Sequence, residues 1–153
     1  MNKISIHTLR TYLSAPTDAA SLVFFRISFG LIMAWEMYRF LSEGKVDHYF
    51  IEPTFYFKYL GFEWLQPWPA HLMYAHFYAL GALALCIAIG FLYRLSALLF
   101  ALGYTYVFLL DQAQYQNHYY LICLLSFALF LMPAHRHLSI DARLSPALRC
   151  ALI

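Results

Sequence analysis

The segment Asp111-Gln112-Ala113-Gln114-Tyr115-Gln116-Asn117-His118-Tyr119-Tyr120 packs polar side chains directly ahead of a hydrophobic run. An imidazole titrates near neutral pH, so His118 can serve as acid, base or hydrogen-bond donor, and Asn117 beside it can orient a carbonyl, a phenol or a peptide amide. Side chains of this kind at the entry of a membrane helix can reach a ligand dissolved in the bilayer. The plainer alternative is an interfacial turn whose polar groups are solvated.

Other groups offer less chemistry. His71 and His76 are five residues apart, so they do not share a helix face as i,i+4 metal ligands would, and His135-Arg136-His137 follows the last apolar run. Solvated or interfacial roles are expected for all of these, and no metal site. Cys86 and Cys123 lie in apolar runs and Cys150 near the end; the three form neither a CxxC pair nor an even disulfide framework and read as small buried hydrophobes. The chain carries no Gly-rich phosphate loop and no G-x-S-x-G elbow, so phosphoryl transfer and serine hydrolysis have no support. A formal charge of +2, with ten Lys and Arg scattered along the sequence, argues against a nucleic-acid partner.

The elements that must position Asn117 and His118 follow from composition. With 63% hydrophobic, 20% aromatic and 12% charged residues, there is too little polarity to coat a soluble globule, and lipid must cover the remainder. Spans are predicted at about 20–41, 72–92, 94–110 and 118–133, the last ended by Pro133. They place a cytoplasmic arm at 1–17, a transmembrane domain at 18–144 with an outer loop at 42–70, and a tail at 145–153. The expected fold is all-α: a polytopic four-helix transmembrane bundle. Arg26, Glu36 and Arg39 interrupt the first span, and charges at that depth must be paired or turned inward. Glu36 and Arg39, at i,i+3, can pair locally, while Arg26 is expected to snorkel to the interface or face the bundle.

Loop charges set the orientation. Lys3, Arg10, Arg94, Arg136, Arg143 and Arg149 fall on one side, whereas Lys45 and Lys58 on the other are opposed by Glu43, Asp47, Glu52, Glu63 and Asp111. The positive side is cytoplasmic by this rule, giving an N-in/C-in arrangement with the 42–70 loop and Asn117-His118 on the far face. That loop is crowded with Tyr49, Phe50, Phe55, Tyr56, Phe57, Tyr59, Phe62, Trp64 and Trp68, rings suited to the headgroup region. Pro53 is expected to open a short interfacial helix there, and Gly61 to close it.

Several blocks in order then resemble a known family: Phe25-Arg26-Ile27-Ser28-Phe29-Gly30, Gly90-Phe91-Leu92-Tyr93-Arg94-Leu95-Ser96, Tyr106-Val107-Phe108-Leu109-Leu110-Asp111, Asn117-His118-Tyr119-Tyr120-Leu121 and Ser139-Ile140-Asp141. They look like the corresponding segments of the vitamin K-dependent gamma-glutamyl carboxylases, the horizontally transferred transmembrane (HTTM) domain. The resemblance implies a membrane enzyme that oxidises reduced vitamin K, a phylloquinone or menaquinone hydroquinone, while carboxylating protein glutamate. Asn117 and His118 would be catalytic, and with Tyr115 would bind the hydroquinone, through a preorganised site shielded from water. The partners implied are the bilayer, a quinone-like lipid and a glutamate-containing exported peptide, in a multi-pass protein of the bacterial inner membrane. The family's catalytic base is a lysine in a further downstream membrane segment, which Lys3, Lys45 and Lys58 do not match. The chain is therefore expected to be the N-terminal part of such an enzyme, inactive alone, or else a small quinone-binding or structural membrane protein.

Overall fold

A computed structural model describes residues 19–132, so the arm at 1–17, the tail at 145–153 and Pro133 lie outside the described residues. Among the described residues five α-helices follow in order: α1 Ala19–Ser42, α2 Lys45–Phe50, α3 Ala70–Ile89, α4 Tyr93–Leu110 and α5 Asn117–Leu131, with a 3-10 turn at Gln112–Gln114. No strand occurs among the described residues. Three of the helices, α1, α3 and α4, are long and apolar enough to cross a membrane. Their bounds fall within a few residues of the expected spans. α5 is equally apolar but has 15 residues, about 22 Å of helix against a hydrocarbon core of about 30 Å.

The helices pack in a sequence, α1 on α3, α3 on α4 and α4 on α5, and no extended contact joins α1 to α5. The α1–α3 seam is graded in size. At Gly30 the helices meet so closely that an added Cβ would lie 2.6 Å from the Ala84 carbonyl oxygen and 2.7 Å from the Ala88 nitrogen. Further along, Gly81 faces Met37, and beyond them the Phe40 and Phe77 rings stack 5.4 Å apart. Small residues thus draw the helices together at one end, while aromatic bulk fills the space between them at the other.

The charges within α1 are resolved as the apolar surroundings demand. Arg26 has 0% exposure and is turned into the protein, toward Tyr93 of α4. Arg39 pairs with Glu36 at 3.1 Å and with Glu43 at 3.1 Å. Tyr93 donates its hydroxyl to the Leu129 carbonyl of α5. Gly90 (φ 69°) and Leu92 (φ 44°) both adopt the left-handed conformation, which lets a three-residue link reverse the chain between α3 and α4.

The loop differs from its sequence expectation. No helix runs from Pro53 to Gly61; the short helix, α2, comes earlier, entered from Gly44 in the left-handed conformation. The reason lies outside the loop: backbone groups near Phe57 are taken by the end of α4, which holds that stretch extended.

Gly30→Val should lower the stability of the protein in detergent by about 1–3 kcal/mol through overpacking. Gly81→Ala, where an added Cβ would make an ordinary 3.6 Å contact with Met37, should change it by less than about 0.5 kcal/mol. Thermal unfolding followed by circular dichroism checks both, and equal effects would contradict the graded seam.

Candidate functional site

A pocket opens at the end of the bundle where the 42–70 loop and the 3-10 turn lie. Its walls come from every helix: Met37 and Phe40 of α1, Tyr49 and Phe50 of α2, Phe77 of α3, Tyr104, Val107 and Phe108 of α4, and Tyr119 of α5, with Gln114 and Gln116 above. The grading of the α1–α3 seam makes this volume possible, because the rings of Phe40 and Phe77 stand where Gly30 and Ala84 would have closed it.

Local sequence explains how α2 comes to roof one side. α1 ends at Ser42, Gly44 turns the chain, and Lys45 pairs with Glu43 at 2.6 Å. The neighbouring Lys45 ammonium and Arg39 guanidinium hold the Glu43 carboxyl below its ordinary range. Tyr74 of α3 donates to the Asp47 carboxylate. So fixed, α2 buries Phe50 against Phe77 at 5.7 Å and sets Tyr49 against Phe40 at 6.3 Å.

The other side is held by Asp111, which is 7% exposed. Its Oδ1 accepts from the Phe57 amide at 3.1 Å and the Ala113 amide at 3.0 Å. Gln112 N–H donates in turn to the Phe57 carbonyl at 2.7 Å. Lys58 Nζ reaches the Leu110 carbonyl at 3.1 Å and lies 4.8 Å from the Tyr56 ring centre. Burial pushes the Lys58 ammonium below its ordinary pKa, an effect that the Asp111 charge partly offsets. This clasp ties the loop to the α4–α5 connection and fixes the strip that carries Gln114 and Gln116. The sequence shows Asp111 only as one of the acidic residues on the far face, without the clasp; the signal within reach was an Asp two residues ahead of a backbone amide, the pattern of an Asx turn.

The residues expected to do chemistry lie beside the pocket. Asn117 and His118 form the first turn of α5 and are exposed, with the His118 ring 4.4 Å from that of Tyr119. Tyr115 packs its ring 5.8 Å from Phe108 and is half exposed. It is Gln116 and Tyr119, their neighbours, that line the pocket. For His76, expected to be solvated or interfacial, the structure adds a specific contact: its Nε2 lies 3.1 Å from the Gly103 carbonyl, between the rings of Trp68 at 5.1 Å and Tyr106 at 5.4 Å. It joins α3 to α4, and Tyr106 donates to the Gln66 carbonyl at 2.8 Å to hold the end of the loop. Among the described residues no three His, Cys, Asp or Glu side chains are grouped as metal ligands would be.

Apolar helices of spanning length around a ring-lined pocket define an all-helical integral membrane protein. The chain belongs to the HTTM domain family, which matches residues 14–153. No solved structure matches it.

Asp111→Ala removes the acceptor of two backbone amides and should destabilise the clasp by about 1–3 kcal/mol. Amide hydrogen exchange at Phe57 and Ala113 is the check: rates should rise there while those in the middle of α3 stay unchanged, and unaltered exchange at Phe57 would show that Asp111 does not hold the loop.

Proposed function

We propose that this chain is the membrane domain that holds a reduced naphthoquinone lipid, as part of the vitamin K-dependent carboxylase chemistry with which the HTTM domain is associated. The observation that carries the reading is the pocket. Phe40, Phe50 and Phe77 offer flat apolar faces for a fused ring, and Gln114, Gln116 and Tyr119 supply amide and hydroxyl groups for its oxygens. Residues of these types fit a hydroquinone. When bound, that ligand supplies the reducing equivalents that the family spends on dioxygen while a glutamate side chain is carboxylated.

The tasks of the chain's own residues follow from placement. The rings orient the ligand and exclude water, which strengthens every hydrogen bond made inside. Asn117 and His118, on the same turn as Gln116 and Tyr119, stand at the rim, where an imidazole and an amide can donate to a ligand oxygen or move its proton. Tyr115 flanks them on Phe108. The exposed rings of Phe55, Phe57 and Trp64 suit the loop to a headgroup layer. The excess of Lys and Arg on the opposite loops supports a four-span, N-in/C-in arrangement, with the pocket facing the side on which exported glutamate-containing peptides are met; a bacterial inner membrane is the setting proposed for it.

Titration of the full chain in lipid nanodiscs with menaquinol tests this. Saturable binding is expected in the wild type. Val107→Trp, which fills the pocket, should abolish it with helix content retained, and His118→Ala should weaken it about tenfold. Undiminished binding by Val107→Trp would sink the pocket reading, whereas unchanged affinity in His118→Ala alone would remove His118 from the site.

A further inference from the structure

At the end of the bundle remote from the pocket, α3 runs into α4 through Gly90, Phe91 and Leu92. α3 has 20 residues, which sets this tip about 30 Å from the loop end. The tip is firmly built: Ser96 Oγ donates to the Phe91 carbonyl at 3.0 Å, and the Phe91 N–H to the Cys86 carbonyl at 2.9 Å. Arg94, in the first turn of α4, is half-buried there, and its Nε is enclosed and makes no hydrogen bond.

The other described cations are provided for. Arg39 and Lys45 pair with Glu36 and Glu43, Lys58 is held by the Leu110 carbonyl, and Arg26 is wholly enclosed by the protein. Arg94 forms no ion pair with a described residue, because the described carboxylates, Glu36, Glu43, Asp47, Glu52, Glu63 and Asp111, all lie toward the loop end. Charge at the tip is therefore of one sign. The Arg26 and Arg94 guanidiniums both lie near enough to act on Tyr93, and α4 starts with no acidic residue in its first turn, so the positive end of its dipole adds to them. A guanidinium drawn half out of water without a counter-ion is costly and calls for an anion. The side chains beside it say which kind. Ile89, Phe91 and Leu95 are 51%, 40% and 51% exposed, and a cation set among outward-facing apolar groups at a helix end stands where phosphate and hydrocarbon meet.

We infer that the α3–α4 tip binds the headgroup of an anionic phospholipid, with the Arg94 guanidinium on its phosphate and Ile89, Phe91 and Leu95 against its acyl chains. A guanidinium matches phosphate oxygens through two parallel hydrogen bonds. A lipid of net negative charge is preferred, because no described carboxylate at the tip answers the cation of a zwitterionic headgroup. The site is separate from the pocket and from the ligand proposed for it.

The test is thermal unfolding of the full chain in nanodiscs of phosphatidylcholine, with and without phosphatidylglycerol. The wild type should gain about 3 °C from the anionic lipid. Arg94→Gln should lose most of that gain while its Tm in pure phosphatidylcholine stays within about 1 °C of the wild type. Arg94→Lys, which keeps the charge and loses the planar fork, should keep about half of the gain. Inorganic phosphate added to the phosphatidylcholine discs should shift nothing. Equal Tm of the wild type in the two lipids overturns the proposal, and so does a full gain in Arg94→Gln. A fall in Tm of the same size in both lipids for Arg94→Gln would mean that the guanidinium serves the chain itself, and a phosphate shift as large as that from the lipid would mean a free-anion site; either result also overturns it. The wild-type comparison needs no variant, so a misfolded Arg94→Gln protein does not shield the proposal.

Discussion

Hydrocarbon offers no hydrogen bonds, and that constraint governs where this chain may be irregular. α1, α3 and α4 satisfy their own backbones internally, so the non-helical stretches are gathered beyond the helix ends. There, side chains from one segment answer the carbonyls of another. Lys58 donates to Leu110 at the end of α4, Tyr56 to Phe50 at the end of α2, and Tyr106 to Gln66. The last carbonyls of a helix have no partner within it, so the first two of these bonds satisfy helix ends, and the third ties the loop to α4. The loop end is consequently a built surface, and the pocket beneath it has fixed walls.

The pocket itself comes from a mismatch that the packing sustains. A seam made of Gly30, Ala84 and Ala88 along its whole length would leave no space between α1 and α3. Toward the loop end rings take the place of small residues and hold the helices farther apart, and the pocket opens among those rings. No extended contact joins α1 to α5, yet Met37 of the one and Tyr119 of the other both line the pocket.

The helices were legible in the sequence because their signal is local and redundant. A run of apolar residues of the right length reports itself, and the pairing of Glu36 with Arg39 needed only helical spacing. The inward turn of Arg26 was one of two placements that spacing allowed. The loop was less legible: the bond between Phe57 and Asp111 joins residues far apart in sequence, and no local pattern announces it. His76 illustrates the same limit, since its partner, Gly103, belongs to another helix. For the site, reading polar residues as the chemistry pointed to Asn117 and His118, which are exposed at the rim. The pocket is lined mainly by Phe, Tyr and Met, which in a membrane sequence cannot be told from ordinary core.

The three-residue link at Gly90–Leu92 bears on the order in which the parts come together. Closing so short a connection loses little chain entropy, whereas joining α1 to α3 must close residues 43–69, a difference of about 2 kcal/mol from loop length alone. Connectivity thus favours an early α3–α4 hairpin, already locked by the left-handed residues at its tip, on which α1 docks afterwards. The cavity does not exist in the hairpin. It forms only when α1 and α2 bring Phe40 and Phe50 up to Phe77.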